Sequence, residues 1–157
     1  GCILIILLCF SKFSTGIGVD ISKNAISIAK KNAFRHNLHI RVRFLNKSFE
    51  SIFGKKFDLI VSNPPYIERK DIKNLSEDIK YFEPRKALDG GNDGLDLIKK
   101  VIYKSKYILK INGMLALEIG NEQIKKVSKI LLDNNFRIVH LVNDYKDNVR
   151  CVIANYK

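Results

Sequence analysis

The chain has 157 residues, 46% of them apolar and 28% charged. This balance suits one soluble domain with a sizeable core and excludes a disordered chain. A net charge of +12 favours an acidic partner such as nucleic acid, but the basic residues are mostly scattered lysines (Lys30-Lys31, Lys55-Lys56, Lys99-Lys100, Lys125-Lys126) with no compact block, so charge alone assigns none.

Cys2 to Phe10 is a continuous apolar run. It is too short for a membrane span and lacks the basic flank of a signal peptide, so it predicts a buried helix with Cys2 and Cys9 packed on one face. The absence of Met at position 1 suggests a chain that begins inside a longer protein. Thr15 to Asp20 reads as a buried parallel strand ending in an acid. Ser22 then caps a helix, with Ala25 at its third position, running to about His36 or Asn37. Ile40 to Leu45 alternates with period two and predicts a strand nearer an edge. Phe49 to Phe53 suits a short helical turn, and Phe57 to Ser62 a further buried strand.

Asn63-Pro64-Pro65-Tyr66 comes next. Two prolines cannot continue a strand, since they lack N–H donors and fix φ. The result is a stiff turn with carbonyl oxygens, an Asn amide and an aromatic ring. It either merely stops the strand or holds a planar –NH2 group by accepting both hydrogens.

Ile67 to Asp93 is polar, carries Pro84 and Gly90-Gly91, and is too long for a plain connector, which predicts a functional insertion. Leu95 to Leu109 is helical, with Leu95, Ile98, Ile102, Tyr103 and Ile108 inward and Asn112-Gly113 as its left-handed cap. Met114 to Ile119 predicts a strand, and Glu122 to Asn134 a helix with Ile124, Val127, Ile130 and Leu131 inward. Phe136 to Val142 and Val149 to Ala154 form a closing antiparallel hairpin, because the gap between them is short. The alternation predicts an α/β fold, a doubly wound and mostly parallel sheet with a C-terminal antiparallel hairpin, binding its ligand at the strand carboxyl ends.

At those ends the expectation places Gly1, Asp20 and the Asn63 turn. Asp20 suits ribose hydroxyls, because a carboxylate accepts two at once; a turn or cap role is the alternative. The cysteines (Cys2, Cys9, Cys151) contain no C-x-x-C pair, and the histidines fit no helical ligand spacing, so no metal is expected and a reducing cytoplasm is the natural compartment.

Gly16-Ile17-Gly18-Val19-Asp20-Ile21-Ser22, Phe57 through Ile67, Phe82-Glu83-Pro84-Arg85, Ala87-Leu88-Asp89-Gly90-Gly91, Asp93-Gly94-Leu95, Leu117-Glu118-Ile119-Gly120 and Asp144 through Arg150 together resemble the catalytic domain of the HemK/PrmC-type release-factor glutamine methyltransferases. The Asn-Pro-Pro-Tyr turn alone is shared with adenine-amino methyltransferases; the Phe82 to Leu95 segment separates the two. The resemblance implies a Rossmann-like class I S-adenosylmethionine-dependent methyltransferase fold over residues 1–157, without the family's first strand, most of its glycine-rich loop or its N-terminal helical domain. It implies S-adenosyl-L-methionine as cofactor, held by Gly1 (the last loop glycine), Asp20, Ser48 near the adenine, and Asn63. It implies class-1 peptide chain release factors as partners, methylated on the glutamine of their Gly-Gly-Gln motif, with Asn63, Pro64, Pro65 and Tyr66 as the catalytic and substrate-binding residues. No membrane partner is expected, and direct nucleic-acid binding is disfavoured but left open. Without its first strand the chain is expected to be unstable alone or to bind cofactor weakly. The competing readings are an adenine-N6 methyltransferase acting on DNA or RNA, and a remnant that only binds a partner.

Overall fold

A computed structural model describes residues 1–54 and 56–157; Lys55, of the Lys55-Lys56 pair, lies outside the described residues. The chain divides into two compact units, residues 1–52 and 53–157.

The first unit contains helix α1 (Cys2–Phe10), strand β1 (Gly16–Asp20), helix α2 (Lys23–Arg35), strand β2 (Val42–Asn46) and a 3-10 turn at Phe49–Ser51. β1 and β2 are parallel, with Gly16 opposite Val42 and Asp20 opposite Asn46. Ile5, Leu8, Ile26, Ala29, Ala33, Leu38 and Phe44 form its core, with Leu4 and Val42 packed against it. The glycines of β1 make room for that core, since a Cβ on Gly18 would lie 2.6 Å from the Phe44 ring. Ser22 caps α2 as its sequence position predicts, its hydroxyl accepting from the Ala25 amide at 3.2 Å.

Three expectations for this unit do not hold. β1 is parallel as expected, but none of its residues is fully buried. α1 is not a buried helix: only Ile5 and Leu8 are buried, while Ile3, Ile6, Leu7 and Phe10 are exposed. Its apolar residues run all round, yet one face meets β1 and α2, so Cys2 and Cys9 are exposed rather than packed. β2 starts at Val42, not Ile40, because Arg41 closes a turn onto the Leu38 carbonyl. The Arg41 guanidinium then donates to the carbonyls of Leu8, Ser11, Lys12 and Ser14, at 2.7 to 3.1 Å. One charged fork thus satisfies the loose carbonyls at the end of α1 and beyond it, a task usually met locally. Arg41→Met keeps the stem and loses the fork; it is expected to cost about 1–3 kcal/mol, read as a lower urea midpoint for the first unit.

The second unit holds β3 (Phe57–Ser62), a 3-10 turn at Ile72–Asn74, short helices α3 (Glu77–Phe82) and α4 (Arg85–Leu88), helix α5 (Asp96–Ile108), β4 (Leu109–Glu118), helix α6 (Ile124–Asp133), β5 (Phe136–Asn143) and β6 (Val149–Tyr156). The sheet order is β3-β4-β6-β5. β3 and β4 are parallel, and β6 runs antiparallel to both neighbours. The closing hairpin is therefore as its short gap predicts. Its turn is built on Asp144, whose Oδ1 accepts from the Lys146 and Asn148 amides at 2.8 and 3.1 Å. Among the described residues β1 and β3 each have a strand partner on one side only.

Asn112-Gly113 does not cap α5. The helix stops at Ile108, with the Leu109 amide on the Ser105 carbonyl, and β4 begins at once. Asn112 does take a positive φ of 61°, but inside a bulge, where the register passes from Phe57 opposite Leu109 to Leu59 opposite Met114. A turn signal within an extended run reads like a helix end when only periodicity is available. Tyr103 faces outward, and Val101 and Ser105 take the inward positions beside Ile98, Ile102 and Ile108. α6 begins at Ile124 rather than Glu122, which sits at φ 63°; Val127 and Leu131 are fully buried as expected.

Candidate active site

β3 delivers the chain to Asn63 at its carboxyl end, and the ladder to β4 ends with Ser62 opposite Leu117. Pro64 is buried, Pro65 and Tyr66 are half-buried, and Asn63 is exposed. The Asn63 side chain has no hydrogen-bond partner among the described residues. It stands at the end of a rigid strand with its amide open to a ligand.

The segment beyond the turn holds it from behind. Ile67 forms a parallel bridge with Asp89; its amide donates to the Leu88 carbonyl at 3.2 Å and its carbonyl accepts from the Gly90 amide at 2.9 Å. The Arg69 amide donates to the Gly91 carbonyl at 2.9 Å. The insertion predicted from composition is thus a strap that leaves the turn and returns beside it. Gly90 and Gly94 pass so close that a Cβ on Gly90 would lie 2.8 Å from the Tyr66 Cα, and one on Gly94 would strike the Tyr66 carbonyl. The strap then enters α5, whose first amide, Asp96, donates to the Gly90 carbonyl at 2.9 Å.

From the other side, Gln123 fastens the turn to the start of α6. Its Nε2 donates to the Tyr66 carbonyl at 3.0 Å and to the Gly94 carbonyl at 3.2 Å, while its Oε1 accepts from the Gly120 amide at 2.8 Å. One side-chain amide therefore ties together the turn, the strap and the end of β4. Gln123 carries no motif signal in the sequence, and only the three-dimensional meeting of these segments identifies it.

Tyr66 is anchored at its hydroxyl. The Arg150 guanidinium donates to it at 2.7 Å, and the hydroxyl donates to Glu118 Oε1 at 3.2 Å. Arg150 and Glu118 pair at 3.8 Å, and the Arg150 guanidinium carbon stands 5.2 Å from the Tyr66 ring centre. Burial raises the phenol pKa; Glu118 pushes the same way and the Arg150 charge opposes. Tyr66 stays protonated across the neutral range and keeps its bond to Glu118. Its contribution to stability is complete below the ordinary tyrosine value near 10 and fades as pH rises through the higher folded value. The ring is thus fixed from β4 and β6.

Asp89 is held below the ordinary carboxylate range, first by the Gly91 amide and then by Arg69, which bonds it at 3.1 Å. A lowered folded pKa gives stability that is present above the unfolded value and lost as pH falls through the folded one. Acid below about pH 4 is therefore expected to loosen the strap. Hydrogen exchange by NMR checks this: the Gly91 amide loses protection while those of the β4–β6 ladder keep theirs.

The remaining predicted residues lie in the first unit. Asp20 is exposed at the carboxyl end of β1. Its Oδ1 accepts from the Ser22 amide at 2.8 Å, and its carbonyl and that of Ile21 accept from the Asn46 side chain at 3.0 and 2.9 Å. Oδ2 has no partner among the described residues. The two roles weighed for Asp20 are compatible, since one oxygen shapes the turn and the other stays open. Ser48 lies just beyond β2 at the same sheet end. Its hydroxyl caps the Phe49–Ser51 turn, accepting from the Glu50 amide at 3.3 Å and donating to the Glu50 carboxylate at 3.2 Å. Gly1 starts α1, and a Cβ there would lie 2.6 Å from the Ala29 Cβ. The backbone at Gly1 can make that approach to α2 only without a side chain.

A family model described as Eco57I restriction-modification methylase matches residues 19–149. The chain belongs to this methylase family. It is 42% identical over 148 residues to the release factor glutamine methyltransferase of Fusobacterium nucleatum, covering 91% of this chain and 41% of the relative. It is 43% identical over 106 residues to the ribosomal protein uL3 glutamine methyltransferase of Francisella tularensis, covering 67% and 33%. The chain thus spans less than half the length of these relatives. A solved methyltransferase structure from Pyrococcus furiosus superposes with a TM-score of 0.69 at 17% identity, covering 96% of this chain and 68% of that one. The expected class I methyltransferase fold and the resemblance to glutamine methyltransferases are both borne out. Among the described residues no helix is long and apolar enough to cross a membrane, and no cluster of His, Cys, Asp or Glu could hold a metal.

Proposed function

We propose that this methylase chain serves S-adenosyl-L-methionine-dependent methylation of the side-chain amide of the glutamine in the Gly-Gly-Gln motif of class-1 peptide chain release factors. The observation that carries the reading is the Asn63 amide, unpartnered on a turn clamped from both sides. The relatives' names support the acceptor. Both name glutamine, and the one covering 91% of this chain names a release factor.

An amide nitrogen is a poor nucleophile, because its lone pair is delocalised into the carbonyl. The Asn63 side-chain oxygen and the Pro64 carbonyl would each accept one N–H of the glutamine amide. That fixes the plane of the amide and leaves electron density on nitrogen. Tyr66, held by Glu118 and Arg150, supplies a fixed wall beside it. The cofactor supplies a methyl group already activated as a sulfonium. Orientation is then the main contribution left to the protein. The new bond joins the amide nitrogen to the methyl carbon as the carbon–sulfur bond breaks, and the displaced N–H proton leaves to solvent.

The first unit fits the cofactor on its own chemistry. The open Asp20 Oδ2 suits a ribose hydroxyl, and the close approach of Gly1 to Ala29 matches the packing role of the last glycine in such a loop. Ser48 would border the adenine through its backbone, since its hydroxyl is engaged with Glu50.

The description of the family model, a restriction-modification methylase, raises a second acceptor, the amino group of a nucleic-acid base, which the names of the release-factor relatives do not favour. A labelled-methyl assay of the full polypeptide that carries this chain separates the two. Offered release factor and nucleic acid together, it is expected to label the release factor. Label confined to nucleic acid would establish the other acceptor.

A further inference from the structure

Residues 99–110 carry five lysines and no acid. Two of them are neutralised at the margins, Lys99 by Asp93 at 2.8 Å and Lys110 by Asp58 at 2.7 Å. Between them lies a different arrangement. Tyr103 and Tyr107 point outward from α5 and meet edge to face, ring centres 5.2 Å apart, their hydroxyls bonded at 2.9 Å. Phe53 is 75% exposed. Lys104 Nζ sits 3.7 Å from the Phe53 ring centre, and Lys106 Nζ sits 4.4 and 5.1 Å from those of Tyr103 and Tyr107. Lys56 reaches in and donates to the Tyr107 carbonyl at 2.9 Å. None of Lys56, Lys104 and Lys106 pairs with a carboxylate among the described residues.

Lysines near a helix C-terminus are favoured by its dipole, which accounts for part of the charge. It does not account for three exposed aromatic rings set among cations. Core packing does not either, since the inward face of α5 is complete without them.

We propose that this outer face of α5, with Phe53 and Lys56, is a docking surface for single-stranded nucleic acid. Bases stack on Tyr103, Tyr107 and Phe53, and phosphates lie against Lys56, Lys104 and Lys106. A single strand is favoured because its bases are free to leave their own stack, whereas a duplex offers the rings only sugar and phosphate. An acidic peptide would engage the lysines and leave the rings idle. The surface makes no use of the Asn63 turn, so binding here is independent of which group is methylated.

The test is fluorescence anisotropy with the full polypeptide and a labelled single strand of about 16 nucleotides, long enough for one such site, offered as RNA and as DNA. Binding is expected to weaken with salt at a slope near −2, from three contacts of about −0.7 each. Tyr103→Leu and Tyr107→Leu are each expected to weaken it roughly tenfold, while Tyr103→Phe retains it. Joint Lys104→Gln and Lys106→Gln replacement should reduce the slope by about 1.4. Circular dichroism verifies that each variant is folded. Binding of RNA and DNA alike, or of RNA more tightly, supports the stacking surface. No binding, binding indifferent to these variants, equal affinity for the duplex, or competition by polyglutamate or anionic vesicles as strong as by the strand itself would each overturn the proposal.

Discussion

Asn63→Ala is expected to lower kcat/KM for release-factor methylation by about 10²–10³-fold, the range seen when one preorganised hydrogen-bonding group is removed from a reacting centre. Stability should not change with it. The side chain is exposed and touches no partner, so the change belongs among surface substitutions, within about 0.5 kcal/mol. Steady-state kinetics and a thermal melt on the same sample separate the two effects. A stable variant with full activity would remove Asn63 from the chemistry. A variant that loses activity only because it unfolds would make the residue structural.

Gly94→Ala should act on the same turn from behind. Gly94 has a φ of +70°, and a Cβ there strikes the Tyr66 carbonyl and lies 2.6 Å from Gln123 Nε2. The strained backbone and the displaced clamp together are expected to cost about 1–3 kcal/mol. Any shift of Tyr66 moves the acceptor grip as well, and about 1 Å of misplacement can cost 10²-fold in rate. Gly54 supplies the control. It has nearly the same φ, +66°, but open space where the Cβ would go. Gly54→Ala should therefore show the backbone strain alone, roughly 1 kcal/mol, with turnover unchanged. Equal losses of stability and rate in the two variants would mean that the strap does not position the turn.

The strand before Asn63 and the stop imposed by Pro64-Pro65 are legible in the sequence because they arise from backbone chemistry. β3 runs from Phe57 to Ser62 as expected, but it is not the buried strand its apolar residues predict, since Leu59 and Val61 are exposed. The Ser22 cap is equally legible, because capping depends on residues three positions apart. The composition of residues 67–93 marks an insertion, but not that it returns to bridge Ile67 with Asp89. The roles of Gln123, Glu118 and Arg150 arise from contacts across 52 to 84 residues of chain, which no local pattern encodes. Arg41 is a similar case: in sequence it is one residue of an alternating strand, and in the fold it gathers the carbonyls after α1. The differences at Tyr103 and Asn112 share a cause. Apolar periodicity cannot tell an aromatic ring on a basic surface from one in the core, nor a bulge from a helix end.

The two units also differ in how their site residues are used. In the second unit the side chains around Tyr66 are bonded to one another, leaving Asn63 as the open group. In the first, Asp20 keeps one oxygen open while Ser48 is closed by its own cap. Asp20 is therefore the better probe of cofactor binding. Asp20→Asn retains an oxygen for the Ser22 amide and loses the charge. It is expected to weaken S-adenosyl-L-methionine binding by roughly tenfold, the loss of one charge-assisted hydrogen bond, measured by calorimetry on the full polypeptide.

The most direct measurement is the position of the transferred methyl group. Release factor treated with the full polypeptide and labelled S-adenosyl-L-methionine would be digested and fragmented by mass spectrometry. One methyl group is expected on the side-chain nitrogen of the Gly-Gly-Gln glutamine, and none when that residue is replaced by Ala. Methyl transfer that persists after the replacement, or that falls on a lysine, an arginine or a nucleic-acid base, would contradict the proposed chemistry.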